Sequence, residues 1–136
     1  MGKAGGTMLV LVVDDNVDSA ELLQALLERH DCHVLMAPDG ASALALCAAE
    51  RPGLVLLDLG LPDIDGYEVA RRLRQMPAMA RSRLVALSGY GPQEDRGKTP
   101  AAGLDAHLTK PVDPDAVIDQ LRLARAGAGS LEAAQR

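Results

Sequence analysis

The chain has no apolar run long enough to cross a bilayer. Its main runs, Leu9 to Val13 and Leu54 to Leu57, fall well short of the ~20 residues that a membrane-spanning helix needs. Met1 to Thr7 lacks the apolar region of a secretory signal, so a cytoplasmic chain with no membrane contact is expected. Cysteine is scarce: Cys32 and Cys47 are the two present, whereas small secreted scaffolds carry a denser set. Because Cys47 also sits in an Ala/Leu-rich helical pattern, reduced structural thiols are expected. An excess of cations is missing too, since 14 Lys and Arg stand against 19 Asp and Glu for a net charge of -5. Nucleic-acid affinity comes mainly from Lys and Arg neutralising phosphates, so direct nucleic-acid binding is not expected. Neither an internal repeat nor a long linker interrupts the 136 residues, a length that suits one domain burying roughly two thirds of its unfolded surface.

What is present alternates. Leu9-Val10-Leu11-Val12-Val13 and Leu54-Val55-Leu56-Leu57 are continuous apolar runs, as is Leu84-Val85-Ala86-Leu87, and such runs suit parallel strands buried on both faces. His33 to Ala37 and Ala106 to Thr109 are weaker strands for the outside of the sheet. Between them lie residues at helical spacing: Ala20, Leu23 and Leu27; Leu44, Cys47 and Ala48; Val69, Leu73 and Met76; Val117, Leu121 and Ala124. Asp39 is placed to cap the second helix, and Asp113 followed by Pro114 pairs an N-cap with proline at the first helical position. A fourth helix is expected between Pro92 and Gly103, short or kinked because Gly97 costs ~1 kcal/mol and Pro100 ~3 kcal/mol in a helix interior. Gly127 and Gly129 predict a stop, giving a domain over 8–127 with tails at 1–7 and 128–136. The plan is β-α repeated five times: an α/β fold with a parallel sheet between helical layers.

In such a sheet the carboxyl ends of the strands share one edge, where ligands bind. Asp14 and Asp15 follow the first strand, Asp58 the third, Ser88 the fourth and Lys110 the fifth. Carboxylates this close repel by about 4 kcal/mol per pair at 4 Å and an effective dielectric of ~20. Lys110 offsets part of this, and the remainder calls for a hard divalent ion with oxygen ligands, Mg2+ being the best fit. A nucleophilic carboxylate, a metal, a hydroxyl and a cation opposite are the parts that phosphoryl transfer uses. Asp58 lies between the acidic pair and the Ser88/Lys110 side and is the expected nucleophile.

Four blocks, Val12-Val13-Asp14-Asp15-Asn16, Leu56-Leu57-Asp58-Leu59-Gly60-Leu61-Pro62-Asp63-Ile64-Asp65-Gly66-Tyr67-Glu68, Ala86-Leu87-Ser88-Gly89 and Leu108-Thr109-Lys110-Pro111, resemble the receiver domains of response regulators and hybrid histidine kinases. The likeness covers roughly Met8 to Ala126. It implies a flavodoxin-like doubly wound (βα)5 fold with strand order 2-1-3-4-5. It also implies that Asp15 and Asp58 ligate Mg2+ directly, Gly60 offers a backbone carbonyl, and Asp14 acts through a bound water. Lys110 would pair with the phosphoryl group on Asp58, Ser88 would close on it, and Lys110-Pro111 would be cis. The donor would be a sensor or hybrid histidine kinase or a histidine phosphotransfer protein. A downstream protein partner, or a homodimer, would use the face formed by the fourth helix, fifth strand and fifth helix. His107 stands where the family carries a switching aromatic, three residues before the lysine. Gly60 stands where larger residues are common, while Tyr90 would partly shield the phosphoryl group.

Other clusters carry less. His30, Cys32 and His33 match no zinc spacing, and strand alternation points Cys32 and His33 to opposite faces. Arg71, Arg72 and Arg74 read as a solvated helix face. The chain is expected to be a signalling switch with only self-directed phosphotransfer and autodephosphorylation rather than an enzyme. The rivals are an Mg2+-dependent phosphatase of the haloacid dehalogenase type, whose Asp-x-Asp after the first strand and added cap are absent, and an interaction module that has lost phosphate acceptance.

Overall fold

The computed structural model describes residues 7–89 and 101–134, those from 128 onward as backbone. Five strands form one sheet: β1 Met8–Val13, β2 Cys32–Ala37, β3 Leu54–Asp58, β4 Arg83–Ser88 and β5 Ala106–Thr109. Their order is β2-β1-β3-β4-β5, and each neighbouring pair is parallel. This is the order that the resemblance implies. The expectation for the strands holds at each position, with bounds shifted by a residue.

The apolar runs are buried on both faces because alternate side chains feed two separate cores. Leu11, Val13, Val55 and Leu57 face α2 (Gly40–Glu50) and α3 (Gly66–Gln75), packing with Ala43, Cys47, Val69 and Leu73. Val10, Val12, Leu54 and Leu56 face α1 (Val17–Glu28) and the C-terminal helix (Pro114–Ala134), packing with Ala20, Leu27, Val117 and Leu121. Each fully buried leucine contributes about 1.5–3 kcal/mol, so the two cores fix the register of β1 and β3 and hence where those strands end.

β2, at the edge, alternates at its start, with Cys32 and Val34 buried and His33 exposed, while at its end Met36 is exposed and Ala37 is buried against the other core. Cys32 and His33 therefore point apart, as expected. Both cysteines are free and buried, and burial pushes the Cys47 thiol up to about 12, in keeping with inert structural thiols.

The helix starts follow local chemistry. Asn16 accepts from the Ser19 amide at 3.0 Å, Asp39 from Ser42 at 2.8 Å, and Asp113 from Asp115 at 3.0 Å, each cap worth about 1 kcal/mol. The predicted stop at Gly127 and Gly129 is corrected, because the C-terminal helix runs on to Ala134. Two glycines weaken a helix by ~1 kcal/mol each, and no αL cap intervenes to end it. Gly97, Pro100 and Tyr90, with most of the helix expected between Pro92 and Gly103, lie at 90–100 and so outside the described residues.

The reading of Arg74 as part of a solvated face is also corrected. Its guanidinium donates to the carbonyls of Gly103 (3.0 Å), Met79 (3.2 Å) and Ser82 (2.8 Å) and to Asp105 Oδ2 (2.8 Å). Arg71 and Arg72 instead pair with Glu68 on the exposed side of α3, as expected of solvated arginines.

Candidate functional site

The carboxyl edge of the sheet gathers the predicted residues. Asp14 follows β1, Asp58 ends β3, Ser88 ends β4, and Lys110 follows β5. The Lys110 ammonium lies 3.1 Å from Asp14 Oδ2 and 3.2 Å from Asp58 Oδ2. The other oxygens are engaged by the following backbone: Asp14 Oδ1 accepts from the Asn16 amide and Asp58 Oδ1 from the Gly60 amide, both at 2.9 Å. The turn after each strand therefore holds its carboxylate in place. The Lys110-Pro111 peptide is cis, as the resemblance implies, and the Lys110 amide donates to the Ser88 carbonyl at 2.7 Å.

Burial sets the electrostatics. Asp14 is buried outright, and its carboxyl is raised above the ordinary 3.8 by that burial, against the lowering pull of the Asn16 amide and Lys110. Burial alone would depress Lys110, but Asp14 and Asp58 hold it above its ordinary 10.5.

Asp15 is exposed beside the pair, and one oxygen from each of Asp14, Asp15 and Asp58 lies within 4.8 Å of the others. One ammonium cannot neutralise three carboxylates. Hard oxygen donors with a residual negative charge suit a divalent cation such as Mg2+, so the acidic pocket could hold a metal ion. Beside it, a cavity of about 430 Å³ is lined by Asp58, Gly60, Tyr67, Ser88, Gly89 and Lys110. This is space enough for a phosphoryl group between carboxylate, hydroxyl and ammonium.

Ser88 is buried at this edge. His107 is half-buried on β5, across from Ala86 of β4, placing it behind Ser88 in the neighbouring strand. The structure thus brings together Asp14, Asp15, Asp58, Gly60, Ser88 and Lys110 and sets His107 one strand away.

Two residues after Asp58, one in the loop and one at the start of α3, carry roles that motif reading missed. Asp63 reaches back to α2, its Oδ1 accepting from the Gly40 amide at 2.8 Å and its Oδ2 from the Ala41 amide at 3.0 Å. Gly66 lies so close to the loop that a Cβ there would stand 2.6 Å from Leu59 Cα and 3.1 Å from the Asp58 carbonyl oxygen. The Pro-Asp-Ile-Asp-Gly string holds both residues, but only the fold reveals their partners.

A family model described as the response regulator receiver domain matches residues 10–122. The chain is 39% identical over 107 residues to a 14.6 kDa protein encoded in the sodA1 3′ region of Leptolyngbya boryana, covering 79% of this chain and 82% of that one. It is 38% identical over 105 residues to the alkaline phosphatase synthesis transcriptional regulatory protein PhoP of Bacillus subtilis, covering 77% of this chain but only 43% of PhoP. Among solved structures, a CheY-like response regulator receiver domain protein of Methanospirillum hungatei superposes with a TM-score of 0.82 at 25% identity, covering 89% of this chain and 95% of that one.

Proposed function

The chain belongs to the response regulator receiver domain family, and on that premise we propose that it takes a phosphoryl group onto Asp58 in a Mg2+-dependent reaction. Receiver domains take phosphate from histidine kinases or phosphotransfer proteins. The donor proposed here is a phosphohistidine of a sensor or hybrid kinase or of a phosphotransfer protein. The observation that carries the proposal is the single Lys110 ammonium held 3.1 and 3.2 Å from two carboxylates, Asp14 and Asp58, with Asp15 beside them.

In the proposed step a carboxylate oxygen of Asp58 attacks phosphorus, the phosphorus–nitrogen bond of the donor breaks, and the donor histidine leaves. The Gly60 amide keeps Asp58 Oδ1 oriented, which leaves Oδ2 on the Lys110 side to attack. A bound Mg2+, held by Asp15, Asp58 and the Gly60 carbonyl with Asp14 acting through water, would spread the charge of the transferring group. Lys110 then pairs with the phosphoryl oxygens and Ser88 donates its hydroxyl to them.

Phosphorylation adds about -1.5 to -2 charges at this edge. Movement of Ser88 toward that charge would alter the space in front of His107 and change the partner-binding face that includes β5. A downstream protein, or a second copy of the chain, would read that face. Within this proposal the chain acts in the cytoplasm as a signalling switch. Its only chemistry is acceptance and hydrolysis of its own aspartyl phosphate.

Incubation with acetyl phosphate and Mg2+ followed by intact mass spectrometry tests the reading. One phosphate adduct is expected, dependent on Mg2+ and absent from Asp58→Asn. Catalytic turnover of small phosphoesters by the purified chain would instead favour a hydrolase.

A further inference from the structure

We propose that Asp63 is a positioning residue for the metal side of the site, fixing the loop that carries Gly60 by gripping the first turn of α2. The inference rests on the reading above, in which Gly60 offers its carbonyl to Mg2+.

The first amides of a helix have no partner within it. In α2, Asp39 satisfies Ser42 in the ordinary local way at 2.8 Å. The Gly40 and Ala41 amides are satisfied from a different loop, one by each oxygen of Asp63. These contacts span 23 and 22 residues of sequence, so they do more than end a helix: they tie the β3–α3 loop to α2. The same contacts hold the Asp63 carboxyl below its ordinary 3.8, the Gly40 amide foremost, and the positive end of the helix favours the same ionised state.

The grip is close. A Cβ at Gly40 would stand 2.9 Å from Val69 Cγ2, 3.1 Å from Ile64 Cβ and 3.3 Å from Asp63 Oδ1, so the α2 backbone lies against the loop with no room to spare. At its far end the loop is held again, by the Gly66 amide on the Leu59 carbonyl at 3.3 Å and by Asp65 on the Tyr67 amide at 2.9 Å. Between these anchors and Asp58, the peptides of Leu59, Gly60, Leu61 and Pro62 have little freedom. Gly60 is exposed, and the hydrogen bond its backbone N–H donates to Asp58 Oδ1 orients that peptide from one side only. Asp63 supplies the constraint from the other.

A cap alone would affect stability. A positioning residue also affects the metal. Mg2+ titrations of unphosphorylated protein by calorimetry, with amide exchange followed at Gly40, Ala41 and Gly60, separate the two. Asp63→Ala is expected to weaken Mg2+ binding about ten-fold, at the low end for the loss of a partner that orients a metal ligand, with faster exchange at all three amides. Asp63→Asn, whose amide oxygen still accepts one N–H, should fall between that variant and wild type. Unchanged Mg2+ affinity in Asp63→Ala, with faster exchange confined to Gly40 and Ala41, would overturn the proposal and leave a helix cap. If Asp63→Ala does not fold, Asp63→Asn decides: wild-type affinity overturns the proposal, and a several-fold loss supports it. Wild-type protein that binds no Mg2+ would overturn the metal reading first and this inference with it, an outcome distinct from a failure of Asp63 alone.

Discussion

Lys110 holds its ammonium 3.2 Å from the Asp58 carboxylate across 52 positions of sequence. The same nitrogen reaches buried Asp14, so its removal leaves two neighbouring carboxylates uncompensated. Metal-free Lys110→Met is expected to lose about 2 kcal/mol at neutral pH, less than a fully buried pair would cost because the lysine is partly solvated. The folded-state value of Lys110 is raised above 10.5. Its contribution is therefore complete below that pH and is lost as pH rises through the folded value. Urea unfolding from pH 7 to 11 should show the gap between wild type and variant closing only at the alkaline end.

Asp14, Asp58 and Ser88 were legible because each stands at the end of an apolar run, and the runs mark strands whose carboxyl ends must share an edge; Lys110 follows the weaker strand Ala106–Thr109. Asp14 after Leu9–Val13, Asp58 after Leu54–Leu57 and Ser88 after Leu84–Leu87 needed no knowledge of long-range contacts. Arg74 and Asp63 did. Two partners of Arg74, Gly103 and Asp105, lie 29 and 31 residues away, and nothing in helical spacing distinguishes it from its solvated neighbours Arg71 and Arg72. Gly127 departs from expectation for the opposite reason: its local cost to a helix is outweighed by the helix on either side of it.

Arg74 is a structural clasp remote from the carboxyl edge. It closes on Gly103, whose φ of +89° suits glycine and whose added Cβ would meet Arg74 Cγ at 2.9 Å. Asp105, its ion-pair partner, also accepts from the Leu84 amide at 2.8 Å. Arg74→Ala is expected to cost about 3 kcal/mol, since several half-buried carbonyls and a carboxylate lose their donor together. Arg74→Lys should recover only a minor part, because a point charge cannot reproduce the fork. Denaturant midpoints measure both, and the extent of Asp58 phosphorylation by acetyl phosphate should stay at the wild-type level in the folded fraction.

Two glycines should respond to alanine with opposite signs. At Gly66 the new methyl meets backbone, Leu59 Cα and the Asp58 carbonyl, so the loop behind the acceptor must shift. A loss of about 2 kcal/mol is expected, as for other overpacked sites, with slower phosphorylation. At Gly127, inside the C-terminal helix, a Cβ meets nothing within 4 Å, and a gain of up to about 1 kcal/mol is expected from helix propensity. Thermal melts of both variants beside wild type check the pair.

Asp14 should make metal-free protein and Mg2+-bound protein respond differently to acid. Its folded value is raised above 3.8, chiefly by burial, so between the unfolded and folded values the native state binds the extra proton and stability rises as pH falls. Asp63 and Glu68 have lowered values, and their contributions are lost only as pH drops through those lower folded values. Metal-free wild type should therefore gain stability on mild acidification before losing it in stronger acid. Asp14→Asn should remove the gain and be the more stable protein at pH 7 without metal. Saturating Mg2+ at about 100 times its dissociation constant adds about 2.7 kcal/mol to wild type and less to the variant, so the order of the two melting temperatures should reverse. An Asp14→Asn protein less stable than wild type at neutral pH in chelator would show that the Lys110 contact outweighs the burial of that carboxylate.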